Sequence, residues 1–327
     1  ALHLEDCHAL TDAGLTELAR GLPNLRDLRL SSAVHLTDRG IKELSMHAVQ
    51  LEVLCFDSRD ASNVSLQWIA KIKTLRTLCL AHNQRFNARG LTSLRSLEQL
   101  RELHIVNCPD IFRINGQAPL ELSFPPNLSV LVIELSHHST DPNMWQLITR
   151  ATRLQTLLFN NMGNMNRSEQ PFISQLVAAA PSLVRLQLRR FRNWKFQEQV
   201  IETLAQLRQL KCLNVGDSSI QDAGLRDLVR FLPQLEELDV SGCYSFTADG
   251  VRALTHLTNL RKIIHIIHYP PENRRLDQTD RRQFTNVADE VWQEFDPKVI
   301  TTQVFEVSSE ARLRLVLDPM IGQEKDV

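Results

Sequence analysis

The chain has 327 residues, and its charge is almost balanced, with 37 Lys plus Arg against 38 Asp plus Glu. Because this balance produces no general positive field, we expect neither nucleic acid nor a membrane surface among its partners. The six cysteines lack the clustered spacing of a disulfide framework or a zinc site, which predicts reduced thiols in a cytoplasmic or nuclear protein.

A phrase of the form L-x-x-L-x-L recurs along the chain and defines its organisation. Successive phrases start 24 to 29 residues apart, which is the spacing of leucine-rich repeats. A partial copy opens the chain at Ala1. The ten complete phrases begin at Leu25, Leu51, Leu75, Leu100, Leu128, Leu154, Leu183, Leu210, Leu235 and Leu260.

Stacked repeats share one long core, so this period favours a single elongated body over separate globular domains. We therefore predict an α/β leucine-rich repeat solenoid over residues 1–269, with about ten repeats after the partial first one. A curved parallel sheet should line its concave face and helices its convex face. Residues 270–327 do not repeat, and we expect them to form a C-terminal cap and tail that includes a strand in the segment KVITTQVFEV.

The regular repeats near both ends share a second phrase, in which a Thr/Asp pair and a glycine precede an apolar helix. Examples are LTDAGL from Leu10, LTDRGI from Leu36 and FTADGV from Phe246. Thr or Asp at this position can accept hydrogen bonds from the first N–H groups of the helix. The glycine should leave room for neighbouring repeats to approach closely.

These phrases, with Cys7 or Cys243 after the strand, resemble the cysteine-containing leucine-rich repeats of F-box proteins. In that family the solenoid holds a substrate protein, and a separate N-terminal F-box docks onto a cullin-based ubiquitin ligase. The resemblance implies the substrate-recognition region of an F-box-like ubiquitin ligase subunit, with the ligase adaptor bound through a domain preceding residue 1. The alternative is a structural or assembly subunit of a larger complex with no ubiquitin ligase role.

The repeats from Leu100 to Lys195 keep the strand phrase but have longer, irregular segments after it. Because consecutive repeats stack side by side, these segments should form one surface along a rim of the solenoid. Aromatic residues and arginines carry much of the energy of protein interfaces, although the aromatic residues could instead fold inward. The candidate rim residues are Phe112, Arg113, Phe124, His137, His138, Trp145, Arg190, Phe191, Arg192 and Trp194.

The third, fifth and seventh positions of each strand phrase should face the concave side, opposite the leucines. We expect a protein partner to bind there or on the overlying rim. The predicted concave patches are apolar at Val130, Val132 and Leu158, basic at Arg185 and Arg189, and acidic at Glu237 and Asp239.

The sequence contains no recognisable catalytic motif, so we expect a protein that is not an enzyme and needs no cofactor or metal. His265 and His268 lie three residues apart on a predicted strand and should face opposite sides. His137 and His138 lie near Asp141 without an evident third ligand. Cys55 and Cys79 occupy the same concave position in neighbouring repeats, where two free thiols fit a reducing compartment better than a disulfide does.

Overall fold

The computed structural model describes residues 1–113, 123–135, 148–161, 169–191, 193–268 and 300–306. The predictions for His137, His138, Asp141, Trp145 and Arg192 lie outside these residues. So does most of the proposed cap, apart from one strand.

The described residues form a twelve-stranded, all-parallel sheet in which the strands follow one another in chain order. Each repeat contributes one strand, so this architecture is a leucine-rich repeat solenoid. The strands are β1 (Leu2–Leu4), β2 (Asp27–Leu30), β3 (Val53–Asp57), β4 (Thr77–Ala81), β5 (Glu102–Val106), β6 (Val130–Leu135), β7 (Thr156–Asn161), β8 (Arg185–Arg189), β9 (Cys212–Asn214), β10 (Glu237–Asp239), β11 (Lys262–His268) and β12 (Ile300–Glu306).

The last strand comes from the region that does not repeat. β12 pairs with β11 in parallel along its whole length, with Lys262 opposite Ile300 and His268 opposite Glu306. The strand predicted in KVITTQVFEV is therefore present, and it extends the sheet beyond the final repeat.

The leucines of the strand phrases form a continuous buried ladder. Leu28 pairs with Leu54, Leu54 with Leu78, Leu78 with Leu103 and Leu103 with Leu131, and all five are fully buried. Burying one leucine side chain contributes about 1.5–3 kcal/mol. Since every repeat adds such residues at the same register, each repeat is stabilised mainly by its two neighbours.

Helices follow most of the strands, and consecutive helices pack against each other along the other side of the sheet. Short 3₁₀ turns at Leu94–Ser96 and Leu254–His256 extend two of them. The described helices are α1 (Asp12–Gly21), α2 (Asp38–His47), α3 (Asn63–Ile69), α4 (Ala88–Ser93), α5 (Glu169–Ala179), α6 (Glu198–Leu204), α7 (Asp222–Phe231) and α8 (Ala248–Ala253).

In the regular repeats, the Thr-Asp-x-Gly phrase links one repeat to the next. The Thr37 side chain caps α2 by accepting from the Arg39 N–H. The Asp12 carboxylate, from the preceding repeat, accepts from the Thr37 N–H at 2.9 Å and from the Thr37 hydroxyl at 2.5 Å. Gly40 lies directly against Asp12, because a Cβ added there would be 3.1 Å from the Asp12 Cα and would overlap its carboxylate.

The same link recurs at other repeats. Asp38 accepts from the Ser62 N–H at 2.8 Å, and Asp222 accepts from the Thr247 N–H at 2.6 Å. A Cβ at Gly250 would overlap the Asp222 carboxylate in the same way. The prediction that the glycines permit close approach is confirmed. The acidic residue, however, bonds to the N-cap residue of the following repeat's helix, as Asp12 does to Thr37 and Asp222 to Thr247, and does not cap its own helix.

Candidate protein-binding surface

The predicted exposure of the rim aromatics is wrong wherever the structure describes them. Phe112 is fully buried, Phe191 and Trp194 are each 3% exposed, and Phe124 is 9% exposed. Phe191 stacks on Trp194 with 4.1 Å between ring centroids, and Phe159 lies 5.4 Å from Phe191. These rings fill the space that the irregular segments leave beside the strands, so they form core and cannot contact a partner directly.

The two described rim arginines differ from each other. The Arg113 side chain is 63% exposed, and its Nη1 lies 3.5 Å from the Asp110 carboxylate. The Arg190 side chain is only 14% exposed and turns toward Asp217, with 3.9 Å between Nε and Oδ2. Arg113 thus remains accessible as predicted, whereas Arg190 is held at the edge of the sheet.

The predicted apolar patch on the concave face is smaller than expected. Val130 and Leu158 are partly exposed, but Val132 is only 5% exposed. Val132 lies in register between His104 and Leu158, and side chains on the inside of a curved sheet converge. The accessible apolar surface here therefore comes from Val130 and Leu158.

The predicted basic and acidic patches neutralise each other. Arg185 Nη1 lies 3.1 Å from Glu237 Oε2, across the intervening strand β9, and Arg189 Nε donates to Asp217 Oδ2 at 3.0 Å. Asp239 accepts from the Asn214 amide at 2.6 Å, and burial raises the pKa of its carboxyl group. This part of the concave face is a paired polar network and not two opposed charged fields.

A polar row at the carboxyl ends of β3 to β5 escaped the sequence analysis. Asp57 Oδ2 and His82 Nδ1 are 3.0 Å apart, and His82 Nε2 lies 3.1 Å from the Asn107 amide nitrogen. This geometry fits a neutral imidazole that donates to Asp57 and accepts from Asn107. The hydrogen bond to Asp57 raises the pKa of His82, although burial acts in the opposite direction.

The backbone explains why polar residues occupy this row. His82 and Asn107 both have φ of 52°, in the left-handed region, and Asp217 and Gly242 have φ of 57° and 67° at the corresponding place in later repeats. Asn, Asp and Gly tolerate that conformation better than other residues do. A polar residue or glycine at the eighth position, two residues beyond the L-x-x-L-x-L phrase, was thus the available sequence signal for His82 and Asn107.

Cys55 and Cys79 are adjacent in the structure, as predicted, and both are free thiols. Arg29 precedes them in the same register and His104 follows them. The hydrogen bond from Cys79 and the nearby guanidinium of Arg29 lower the pKa of Cys55, against the effect of burial. The same hydrogen bond, together with burial, raises the pKa of Cys79.

His265, the described member of the predicted strand pair, is 5% exposed and packs against Phe246 with 5.5 Å between ring centroids. Burial lowers its pKa to about 4. In the described ranges no three His, Cys, Asp or Glu side chains are grouped so that they could hold a metal ion. None of the helices in those ranges combines the length and hydrophobicity that a bilayer crossing requires.

The solved structures that align with this chain do so over most of its length but at low sequence identity. No protein-family model matches the chain. An internalin from Listeria monocytogenes aligns with 92% of this chain and 98% of its own at 16% identity and a TM-score of 0.41. A structure of the yeast Rad7 and Elc1 complex aligns with 89% of this chain and 88% of its own at 14% identity and a TM-score of 0.45.

Proposed function

We propose that this chain is a protein-interaction scaffold without catalytic activity and that its partner binds the concave face between β3 and β7. The observation that carries the proposal is a set of buried polar atoms on this face that lack a hydrogen-bond partner within the described residues. They are Asp57 Oδ1, Asn107 Oδ1 and Asn160 Oδ1, and the buried His104 Nε2 beside them has only a longer contact, 3.7 Å from Glu102 Oε2.

These atoms favour binding because buried polar groups in folded proteins are nearly always hydrogen-bonded. Leaving one unpaired costs about 1–3 kcal/mol. His104 and Asn160 are 7% and 8% exposed, just beneath the surface, so small side-chain rotations would bring them to a bound molecule. The partly exposed Val130 on β6 and Leu158 on β7 lie on the same face and supply apolar contact.

The more specific proposal is substrate recognition within an F-box-like ubiquitin ligase, with an adaptor bound outside the described solenoid. It is supported by the Thr-Asp-x-Gly and cysteine-containing phrases and by the interlocking of repeats that they produce. Affinity capture with the full-length protein tests it directly. Recovery of cullin and adaptor subunits is the expected result, and their consistent absence would leave a structural or assembly subunit as the function.

The concave location is tested by the same capture with two variants. Leu158→Arg places a long cation in the middle of the concave face and should remove the concave partner. Val64→Arg is the matched control, because Val64 is a 43% exposed apolar side chain on helix α3. If the two variants retain the same proteins, and circular dichroism shows both to be folded, the partner does not bind the concave face.

A further inference from the structure

A polar cleft of about 490 Å³ lies at the edge of the sheet where β5, β6 and β7 begin. Two arginines, Arg101 and Arg153, line it together with hydroxyl and amide side chains that include Ser129 and Gln155, and its lining contains no carboxylate. This edge is opposite the carboxyl ends of the strands, where Asp57, His82 and Asn107 lie, and it adjoins the concave face at Val130, which directly follows Ser129.

Both arginines are held by neutral groups. Arg153 Nη1 donates to the Asn127 side-chain oxygen at 2.6 Å, and Arg101 Nη1 donates to the backbone carbonyl of Glu98 at 3.1 Å. Within the described part of the chain, neither guanidinium lies within 4.0 Å of a carboxylate oxygen. A guanidinium carries five N–H donors, so most of their donor capacity is available to a bound molecule.

The repeats before the cleft place a carboxylate where the cleft has none. The second position of each strand phrase lies along this edge. In the third repeat of the sheet that residue is Glu52, which pairs with Arg26 at 2.9 Å and with Arg76 at 3.5 Å.

The repeats after the cleft repeat this arrangement. Glu236 pairs there with Lys211 at 2.7 Å and with Arg261 at 3.6 Å. In the cleft itself the equivalent residues are the neutral Ser129 and Gln155. The centre of the edge therefore has one second-position cation, Arg101, and no carboxylate, and Arg153, two residues before Gln155, supplies a further cation beside it.

We infer that this cleft binds a phosphoryl group, whose oxygens occupy the place of the missing carboxylate between Arg101 and Arg153. A phosphoryl group fits because its several oxygens can accept from two guanidinium forks and from the surrounding hydroxyl and amide groups together. The cleft has room for more than an isolated phosphate ion, so a phosphorylated side chain can enter it as well as inorganic phosphate. The inference does not depend on the concave site.

Isothermal calorimetry with inorganic phosphate, at constant ionic strength maintained with chloride, tests the inference. The decisive variant is Gln155→Glu, which is isosteric, exposed and supplies the missing carboxylate. It should weaken phosphate binding about tenfold or more, because the new carboxylate competes for the arginines and repels the anion, and Arg153→Gln should do the same because it removes charge-assisted contacts. Arg76→Gln is the matched control, since Arg76 is already paired with Glu52, and its affinity should stay within about twofold of the wild type.

A parallel titration with capped phosphoserine identifies the source of the phosphoryl group. Tighter binding than inorganic phosphate assigns a phosphorylated polypeptide, and equal binding assigns the free ion; both results support the site. The inference is overturned if the wild type shows no phosphate binding above that of Gln155→Glu, or if Arg76→Gln reduces binding as much as Arg153→Gln does.

Discussion

The contact of Asp12 with Thr37 and Gly40 predicts unequal effects for one substitution at two equivalent helix positions. In Gly40→Ala the new Cβ meets the Asp12 carboxylate and lies 3.1 Å from its Cα, so the neighbouring repeat must move. In Gly14→Ala the nearest atoms are the end of the Leu10 side chain at 3.1 Å and the Thr11 hydroxyl at 4.0 Å. Both positions lie in the first turn of their helices.

The magnitude follows from three contributions. Overpacking at a close contact costs about 1–3 kcal/mol. Loss of the hydrogen bonds from Thr37 to the Asp12 carboxylate costs about 1.5–3 kcal/mol. Alanine gains about 1 kcal/mol over glycine in helix propensity. Gly40→Ala should therefore lose about 1.5–5 kcal/mol of stability, whereas Gly14→Ala should change stability by no more than about 1 kcal/mol in either direction.

Urea unfolding followed by circular dichroism measures both effects on the same chain. The midpoint for Gly40→Ala should fall clearly below that of the wild type, and the midpoint for Gly14→Ala should remain close to it. Equal midpoints for the two variants would show that the acidic side chain does not fill the space at the following glycine.

Three further measurements test the local chemistry. Cys55 should be alkylated by iodoacetamide faster than Cys108, because burial raises the pKa of Cys108 to about 12 whereas the pKa of Cys55 is lowered. If mass spectrometry locates the first adduct on Cys108, this prediction is wrong. Burial opposes ionisation of Asp38, but hydrogen bonds from Ser62 and Ser65 outweigh it and lower the pKa. Asp38 therefore stabilises the fold above the unfolded carboxyl pKa of about 4, and this contribution is lost as pH falls through the lower folded pKa, so Asp38→Asn should flatten the dependence of the urea midpoint on acidic pH. NMR titration should show that the pKa of His82 is raised above its ordinary value and that it falls in Asp57→Asn. An unchanged pKa in the variant would show that Asp57 does not hydrogen-bond His82.

The core was predictable from the sequence because its signal is local and repeated. The spacing of Leu25, Leu28 and Leu30 fixes which side of one strand is apolar, and the period of the phrase sets each leucine beside its equivalents. The adjacency of Cys55 and Cys79 followed from the same register. Any property that depends only on position within the repeat could be predicted in this way.

The candidate site was harder to predict because it depends on contacts between repeats that differ in sequence. Whether Phe191 and Trp194 face solvent is decided by the space beside Phe159, which the repeat period does not specify. The role of Asp12 was missed for the same reason, since its partner lies in the following repeat. The ion pair between Arg185 on β8 and Glu237 on β10 crosses the intervening strand β9, so it likewise depends on how far each side chain reaches across the sheet.

The most direct test of the concave-face account is the equilibrium affinity of the principal captured partner for purified wild type, Leu158→Arg and Val64→Arg. We expect Leu158→Arg to weaken the affinity about tenfold or more, since it places a desolvated cation in the interface, and Val64→Arg to leave it unchanged. Equal affinities for all three folded proteins would contradict the account and place the partner on another surface.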